Sequence, residues 1–287
     1  MGELHRQALE RSHSAVACGA LVPLTTTPVP NQAWSPFQVR RLLSQTPKHL
    51  RSAGPRPNPF LPWETELEIK RLGQSHLLLL NKYPVQLGHV LLITQQWKPQ
   101  AGWLETADWQ VVAEVEADTS GLWFFNSCAA AGASQPHRHL QLLPREPGEQ
   151  SCPLAPMLLE QLAGRTGAWP WQYRLTRRHC AGGSDGAAEL AHLYREHATQ
   201  LGLGDPAHHP VPTAAYNILF DGNWLMTVLR GQEHWAGFSV NALGFAGYLL
   251  ATAQSDQAWL ELHGPEALLE AVAQPRHERG YVVSRMP

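Results

Sequence analysis

The 287-residue sequence predicts an α+β protein, an antiparallel sheet with packed helices arranged as two related halves. Three observations lead to this class. Strand-type segments give way to helix-type segments, and the same succession then recurs further along. Asp221-Gly222-Asn223 separates two apolar runs and is a strong hairpin signal. The chain also carries 23 Gly, 23 Pro and 11 Trp, which point to many turns and irregular connections rather than a helical bundle.

Taken in order, residues 3–16 read as a short helix, followed by an extended Pro/Thr stretch through Pro30. Phe37–Leu43 reads as a strand or a short helix. Residues 44–62 hold Pro47, Pro55, Pro57, Pro59 and Pro62, too many for regular structure. Glu66–Leu72 alternates, and His76–Leu80 and His89–Thr94 are apolar runs of buried-strand type. Lys82–Gly88 supplies the turn between the last two, so the three strands form an antiparallel meander. Trp103, Leu104, Trp109, Val112 and Val115 recur at helical spacing and predict a helix over Trp103–Glu116 that packs on that sheet. Leu122–Asn126 returns as a strand.

Beyond this point, residues 155–164 and 187–201 read as helices around an irregular Gly/Ser/Arg region at 174–186. Ala215–Phe220 and Trp224–Leu229 form the predicted hairpin. Phe238–Val240 leads into Asn241–Thr252, whose apolar face and small residues Gly244, Ala246 and Gly247 predict a closely packed helix. Final helices lie near 256–272. The organisation is an N-terminal part over 1–150, a connecting region over 151–205 and a C-terminal part over 206–287.

Composition narrows the function. Hydrophobic residues make up 44% and charged residues 16%, as in compact folded proteins rather than disordered or coiled-coil ones. A formal net charge of −2 gives no general basic field for DNA or RNA, although local donors could hold a small anion. Cys18, Cys128, Cys152 and Cys180 are widely separated and include no C-x-x-C pair, which suits a reducing compartment. No run approaches the roughly 18–20 apolar residues of a spanning helix, and acidic residues with Pro23 argue against a signal peptide. The expectation is a cytoplasmic, monomeric protein without nucleic-acid or membrane partners.

The segment Asn126-Ser-Cys-Ala-Ala-Ala-Gly132-Ala133-Ser134-Gln135-Pro136-His137-Arg138-His139-Leu140-Gln141 carries the chemistry. If its end is extended, residues two apart share a face, so His137, His139 and Gln141 line one wall beside a loop of small residues. With 15 histidines in 287 residues, roughly 0.8 His-x-His pairs arise by chance, so the pair alone carries little. Three readings follow from the residues. The pair could be polar decoration of an exposed face. It could supply two metal ligands, with His76, His89 or a cysteine completing the set. Or a neutral imidazole, with a reference pKa of about 6.5, could attack phosphorus while loop amides hold the phosphate.

The pattern G-A-S-Q-P-H-x-H-x-Q resembles the active-site motif of diadenosine tetraphosphate phosphorylases, also called ATP adenylyltransferases. These belong to the histidine-triad (HIT-like) superfamily with galactose-1-phosphate uridylyltransferase. Asn58–Pro62, Leu80–Lys82, Gly88-His89, Ala215–Leu219 and Ser239–Gly247 also resemble family segments, so the likeness covers roughly residues 37–145 and 212–253. It implies a HIT-like fold, with the catalytic motif in the N-terminal part and an adenylyltransferase-type C-terminal part completing the site.

The resemblance further implies that His139 is the nucleophile, forming a covalent adenylyl-histidine, with His137 beside it holding the ring. Gln141 stands where hydrolase relatives carry a third histidine. An amide can bond a phosphate oxygen but cannot act as a titrating base near pH 7. Inorganic phosphate is already an anion and needs no base, whereas water benefits from one, so glutamine favours phosphorolysis. The implied reaction turns diadenosine tetraphosphate and phosphate into ATP and ADP.

Substrate contacts implied by the family fall on Lys48, Asn81, Lys82, Asn126, Gly132, Ala133, Ser134, Gln135, Ser239 and Asn241. Asn81, Lys82 and Asn126 could equally serve as turn or strand-end residues, and Ser239 as a helix cap. No protein metal site and no organic cofactor are implied. The C-terminal segment lacks a lysine after Tyr248, so a divalent cation such as Mg2+ could neutralise the distal phosphates. Arg145 and Arg230 are further donors in principle but read as ordinary surface arginines. The rival functions are nucleotidyl transfer on a sugar phosphate or adenosine phosphosulfate, and a non-catalytic nucleotide sensor.

Overall fold

The computed structural model describes residues 2–44 and 58–276. The chain opens with helix α1 (Glu3–Ala17), then strands β1 (Thr26–Pro28) and β2 (Gln38–Leu42). The meander follows as β3 (Glu68–Leu72), β4 (His76–Leu80) and β5 (Val90–Thr94), each strand antiparallel to the next. Helix α2 (Thr106–Glu116) starts three residues later than the apolar spacing predicts. Its first turn is fixed instead by a reciprocal cap, in which Glu105 and Asp108 each bond the other's backbone N–H. Strands β6 (Gly121–Asn126) and β7 (His139–Pro144) pair antiparallel across the motif loop.

The second part contributes α3 (Ala155–Leu162), β8 (Tyr173–Arg177), α4 (Gly183–Gln200), and the predicted hairpin as β9 (Tyr216–Phe220) and β10 (Trp224–Leu229). A small ribbon of β11 (His234–Trp235) and β12 (Phe238–Ser239) precedes the one-turn helix α5 (Ala242–Phe245). Strand β13 (Tyr248–Ala251) and helix α6 (Gln257–Val272) follow, the latter bent at Gly264-Pro265. Eight strands form one antiparallel sheet in the order β3-β4-β5-β7-β6-β9-β10-β8. The N-terminal and C-terminal strands therefore meet in the middle of a single sheet, where β6 pairs with β9.

Alternation along these strands serves two cores. Trp123 and Phe220 turn to the face covered by α2 and α4, packing near Trp109, Val112, Leu190 and Tyr194. Leu122, Phe124, Leu219 and Met226 turn to the other face, against Trp34, Leu154, Phe245 and Leu268. Each such buried side chain contributes about 1.5–3 kcal/mol of transfer free energy.

Two expectations are corrected. Asn241–Thr252 is not a helix: after the single turn α5, the chain straightens into β13, which lies parallel to β2. Gly247 causes the break. It sits at φ 98°, and a Cβ there would lie 2.9 Å from Pro153 Cβ, so only glycine lets the chain turn in that space. Tertiary pairing overrides the local apolar periodicity. The region 174–186 is not irregular throughout, because Tyr173–Arg177 is the edge strand β8 beside β10. Its charged, half-buried residues suit an edge and hide the strand from a pattern reading. Phe37–Leu43 resolves as the strand β2.

Candidate active site

Strand β7 begins at His139, so His139 and Gln141 alternate with Leu140 and Leu142. Arg138, on the opposite face from His139, reaches the N-terminus of α2 and bonds Glu105 (3.0 Å) and buried Asp108 (3.1 Å), whose other oxygen bonds His76 (2.9 Å). This ion network clamps the backbone between the two motif histidines to the helix. His137 itself lies just before the strand, in an isolated bridge with Pro99.

That placement separates the two imidazoles chemically. His137 is fully buried. Its Nε2–H donates to the Thr94 carbonyl (2.8 Å), and its Nδ1 accepts from the Asn58 amide (2.9 Å). Both ring nitrogens are thus engaged, which leaves no lone pair for a metal or a phosphorus atom. Of the three side chains expected on one wall, His137 therefore serves through its two hydrogen bonds rather than through a free ring nitrogen. His139 Nδ1–H donates to the His137 carbonyl (2.8 Å), so Nε2 keeps its lone pair. Burial pushes the His139 pKa down to about 4, so the ring is neutral near pH 7. Phe60 meets both rings edge-on, at 5.5 Å from His137 and 5.6 Å from His139.

Gln100 fixes the backbone of His139. Its Oε1 accepts from the His139 backbone N–H (2.8 Å), while its amide donates to the carbonyls of Asn126 (2.7 Å) and His139 (3.2 Å). Gln141 Oε1 accepts from His89 Nε2–H (3.0 Å), which leaves the Gln141 NH2 as the end free on the face it shares with His139. Asn126 is arranged alike. Its Oδ1 accepts from Asn217 Nδ2 (2.8 Å) and from the Ala242 backbone N–H (2.9 Å), so the Asn126 side-chain NH2 is the group left to offer. Two amides with tied carbonyls and one imidazole with a free lone pair suit a phosphate-bearing ligand.

The loop before His137 is drawn tight by its own bonds. Gly132 N–H donates to Ala129 O (2.8 Å) and Ala133 N–H to Cys128 O (3.0 Å). The amides of Ser134 and Gln135 are the ones left to face a ligand, and Gly132 and Ala133 shape the loop. Gly132 sits at φ 85°, and a Cβ there would fall 2.6 Å from Asn241 Cβ, so glycine brings the loop against the C-terminal segment. Arg230 fastens that contact and is no surface arginine, being 1% exposed. It donates to Asn217 Oδ1 (2.7 Å) and to the carbonyls of Gln232 and Val240 (2.8 Å each), Val272 (3.2 Å) and Ala131 (3.3 Å). Burial lowers its pKa to about 10, so it stays charged at neutral pH. Arg145 is half-buried and bonds Gln86 and the Tyr248 hydroxyl.

The remaining residues singled out by sequence are spread more widely. Asn81 reaches the site through His89 rather than directly (3.4 Å) and caps its own turn by accepting from Tyr83 N–H (3.0 Å). Lys82 pairs with Glu64 at the surface. Asn241 caps α5 by accepting from Leu243 N–H (2.9 Å), and exposed Ser239 donates to Glu233 (2.7 Å). Lys48 lies outside the described residues. Among the described residues, no group of three His, Cys, Asp or Glu side chains is placed to hold a metal ion. Sequence reasoning missed Gln100 and Asn217, and it read Arg230 as a surface arginine. Asn217 alone left a usable signal, a fully buried amide in the apolar run Tyr216–Phe220.

Comparisons with known proteins place the chain among relatives. Residues 1–160 match the family model described as the Ap4A phosphorylase N-terminal domain, and residues 168–275 match the ATP adenylyltransferase C-terminal domain. Protein APA1 of Saccharomyces cerevisiae is 35% identical over 78 residues, 25% of this chain and 24% of that protein. Diadenosine 5',5'''-P1,P4-tetraphosphate phosphorylase 2 of the same yeast is 35% identical over 80 residues, 24% of this chain and 25% of that protein. The alignments thus span about a quarter of these curated relatives. The crystal structure of yeast Ap4A phosphorylase Apa2 superposes with a TM-score of 0.70 at 20% identity, covering 97% of this chain and 99% of that one. The complex of Apa2 with Ap4A gives 0.72 at 18% identity with the same coverage. The complex with AMP gives 0.71 at 21%, covering 97% and 100%. At these identities the superpositions bear on the fold alone, an α+β arrangement shared over nearly the whole of both chains.

Proposed function

We propose, from the premise that this chain belongs to the Ap4A phosphorylase family with an ATP adenylyltransferase-type C-terminal domain, that it is a nucleotidyltransferase. Its reaction is the cleavage of diadenosine tetraphosphate by inorganic phosphate. His139 Nε2 attacks an α-phosphorus, and the N–P bond forms as the bridging P–O bond to the β-phosphate breaks. ATP leaves, and AMP stays on the histidine. An oxygen of inorganic phosphate then attacks the same phosphorus, releases the imidazole and gives ADP. In reverse, the same steps join ATP and ADP.

The observation that carries this reading is the His139 Nδ1–H bond to its neighbour's carbonyl, which leaves Nε2 unprotonated in a buried ring. Holding the ring this way costs nothing at the moment of attack, because the proton is already placed. The His137 carbonyl also favours the cationic ring that forms on phosphorylation. The NH2 groups of Gln141 and Asn126, with the amides of Ser134 and Gln135, would stabilise charge on the transferring phosphate. Neither side-chain amide titrates, which suits phosphate as the acceptor better than water. These groups are hydrogen-bond donors rather than oxygen ligands. The described site therefore does not fit a protein-held Mg2+, and no step is assigned to one. Lys82, Ser239 and Asn241 remain proposed contacts for the distal phosphates.

Incubation of the purified protein with diadenosine tetraphosphate, with and without phosphate, tests the reading. ATP and ADP should form only when phosphate is present. AMP plus ATP would mean hydrolysis and would defeat the glutamine argument. Binding without turnover would favour a sensor, and turnover of a sugar nucleotide or adenosine phosphosulfate instead would reassign the substrate. His139→Ala should abolish turnover and the acid-labile labelling of the protein by radioactive AMP.

A further inference from the structure

A primary amide offers an anion two opposite faces: its NH2 attracts a phosphate oxygen, and its carbonyl repels one. The two ends are nearly equal in size, so shape alone does not choose between them. In Gln141 the choice is made by a chain of bonds whose polarity is anchored in the backbone. The Tyr83 backbone N–H can only donate, and it lies 3.0 Å from Asn81 Oδ1. That fixes the carbonyl end of Asn81 and turns its NH2 toward His89 Nδ1, 3.4 Å away. An amide NH2 cannot accept, so Nδ1 carries the lone pair, and a neutral imidazole then holds its one proton on Nε2. Nε2 lies 3.0 Å from Gln141 Oε1.

We propose that Tyr83 N–H, Asn81 and His89 form a one-way hydrogen-bond relay that makes His89 the positioning residue for Gln141, fixing its NH2 toward the reacting phosphate. The relay rests on the reading of His139 as a nucleophile toward a phosphate-bearing substrate. It assigns His89 a part other than a metal ligand, and it moves Asn81 from the first contact with substrate to two bonds behind it. The surroundings hold the ring to this task. His89 is 2% exposed and packs at 5.9 Å from Phe124, whose strand position pairs directly with Gln141. Burial lowers the His89 pKa to about 3, so a second ring proton that would oppose the Asn81 NH2 does not arise near neutral pH. The opposite tautomer would reverse every bond downstream and present a carbonyl to the phosphate.

The test combines a spectrum with three substitutions in the full chain. NMR of 15N-histidine-labelled protein should show His89 as the Nε2–H tautomer in the wild type. Asn81→Asp keeps the acceptor for Tyr83 but replaces the NH2 with an oxygen, and should move the His89 proton to Nδ1. His89→Phe removes the relay, whereas His89→Gln can accept from Asn81 and still donate to Gln141. Expected kcat/KM for phosphorolysis falls about 10–100-fold in Asn81→Asp and His89→Phe, while His89→Gln stays within about threefold of wild type. A wild-type Nδ1–H tautomer, an Asn81→Asp spectrum without the shift, or equal defects in His89→Gln and His89→Phe would overturn the relay. So would full activity in folded His89→Phe, with folding judged from thermal unfolding. If His89→Phe does not fold, the spectrum and Asn81→Asp decide. A wild type inactive toward diadenosine tetraphosphate would defeat the functional reading, while the tautomer spectra would still decide the relay.

Discussion

Arg230→Lys offers a severe test of how the site is held together. The guanidinium places five N–H donors against five oxygens, from Val272, Ala131, Asn217, Gln232 and Val240, with no carboxylate paired to it among the described residues. An ammonium keeps the charge but has three donors on a compact head. At least two of the five bonds are therefore lost, though the Val272 and Ala131 oxygens keep Gly231 N–H (3.0 Å) and the Asn217 amide (2.9 Å) as donors. Each lost bond is worth about 0.5–1.5 kcal/mol, for a total of about 1–3 kcal/mol. For a chain of this size that corresponds to a fall of about 2–12 °C in thermal midpoint, at 2–4 °C per kcal/mol. Function should suffer more than stability alone implies, because the Ala131 and Val240 carbonyls belong to the two segments that meet at the site. Urea unfolding with a fitted m-value measures the first effect, and single-turnover formation of the adenylylated protein measures the second. A variant within about 0.5 kcal/mol of wild type and with normal single-turnover rate would refute the argument that Arg230 joins the two segments.

Other substitutions and pH give independent checks. Gly132→Ala places a Cβ 2.6 Å from Asn241 Cβ at φ 85°, so it should cost about 1–3 kcal/mol in chemical denaturation and depress kcat/KM at least tenfold by moving the loop. Gln100→Leu leaves the buried His139 N–H without its acceptor and should lower kcat about tenfold or more, with little change in the KM for diadenosine tetraphosphate. Acid should destabilise the fold through its buried neutral histidines. His89, His139 and His197 resist protonation until about pH 3, 4 and 4, whereas the unfolded chain takes up these protons near pH 6.5. Their contribution is full above about pH 6.5 and is lost as pH falls toward 4, which urea midpoints between pH 7.5 and 4.5 would detect as net proton uptake on unfolding. On the nucleophile's account, phosphorolysis should persist to about pH 5, and an acid limb at 6.5 that tracks His139 would contradict its burial.

Much of the frame is legible in the sequence. The meander, the 216–229 hairpin and the strand into the motif follow from alternation and turn residues, whose physics is local. His139 stands out because a long motif, rather than the histidine pair, points to it. What escaped depends on contacts between distant segments. β13 looks helical until β2 lies beside it, and Gly247 breaks the helix against Pro153 rather than through any local breaker. Arg230 looks like a surface residue because the chain does not announce that five carbonyl groups will converge on it. His137 and His139 look equivalent by spacing, yet Asn58 and Thr94 occupy both nitrogens of one and leave the other armed. Gln100 sits in an unpatterned loop, with no periodicity to mark it.

The pairing of β6 with β9 has a consequence for how the protein is made. Asn126 faces Asn217 across that joint, and the Asn126 and Ala131 oxygens find their partners in Asn217, Arg230 and Ala242. A ribosome delivers the motif histidine long before it delivers those partners. Until Asn217, Arg230 and Ala242 emerge and dock, the Asn126 side-chain oxygen and the Ala131 carbonyl lack these donors, and the edge of β6 that β9 will cover is open. Docking of these later segments, and not synthesis of the histidine itself, is the event that completes the bonding around the motif loop.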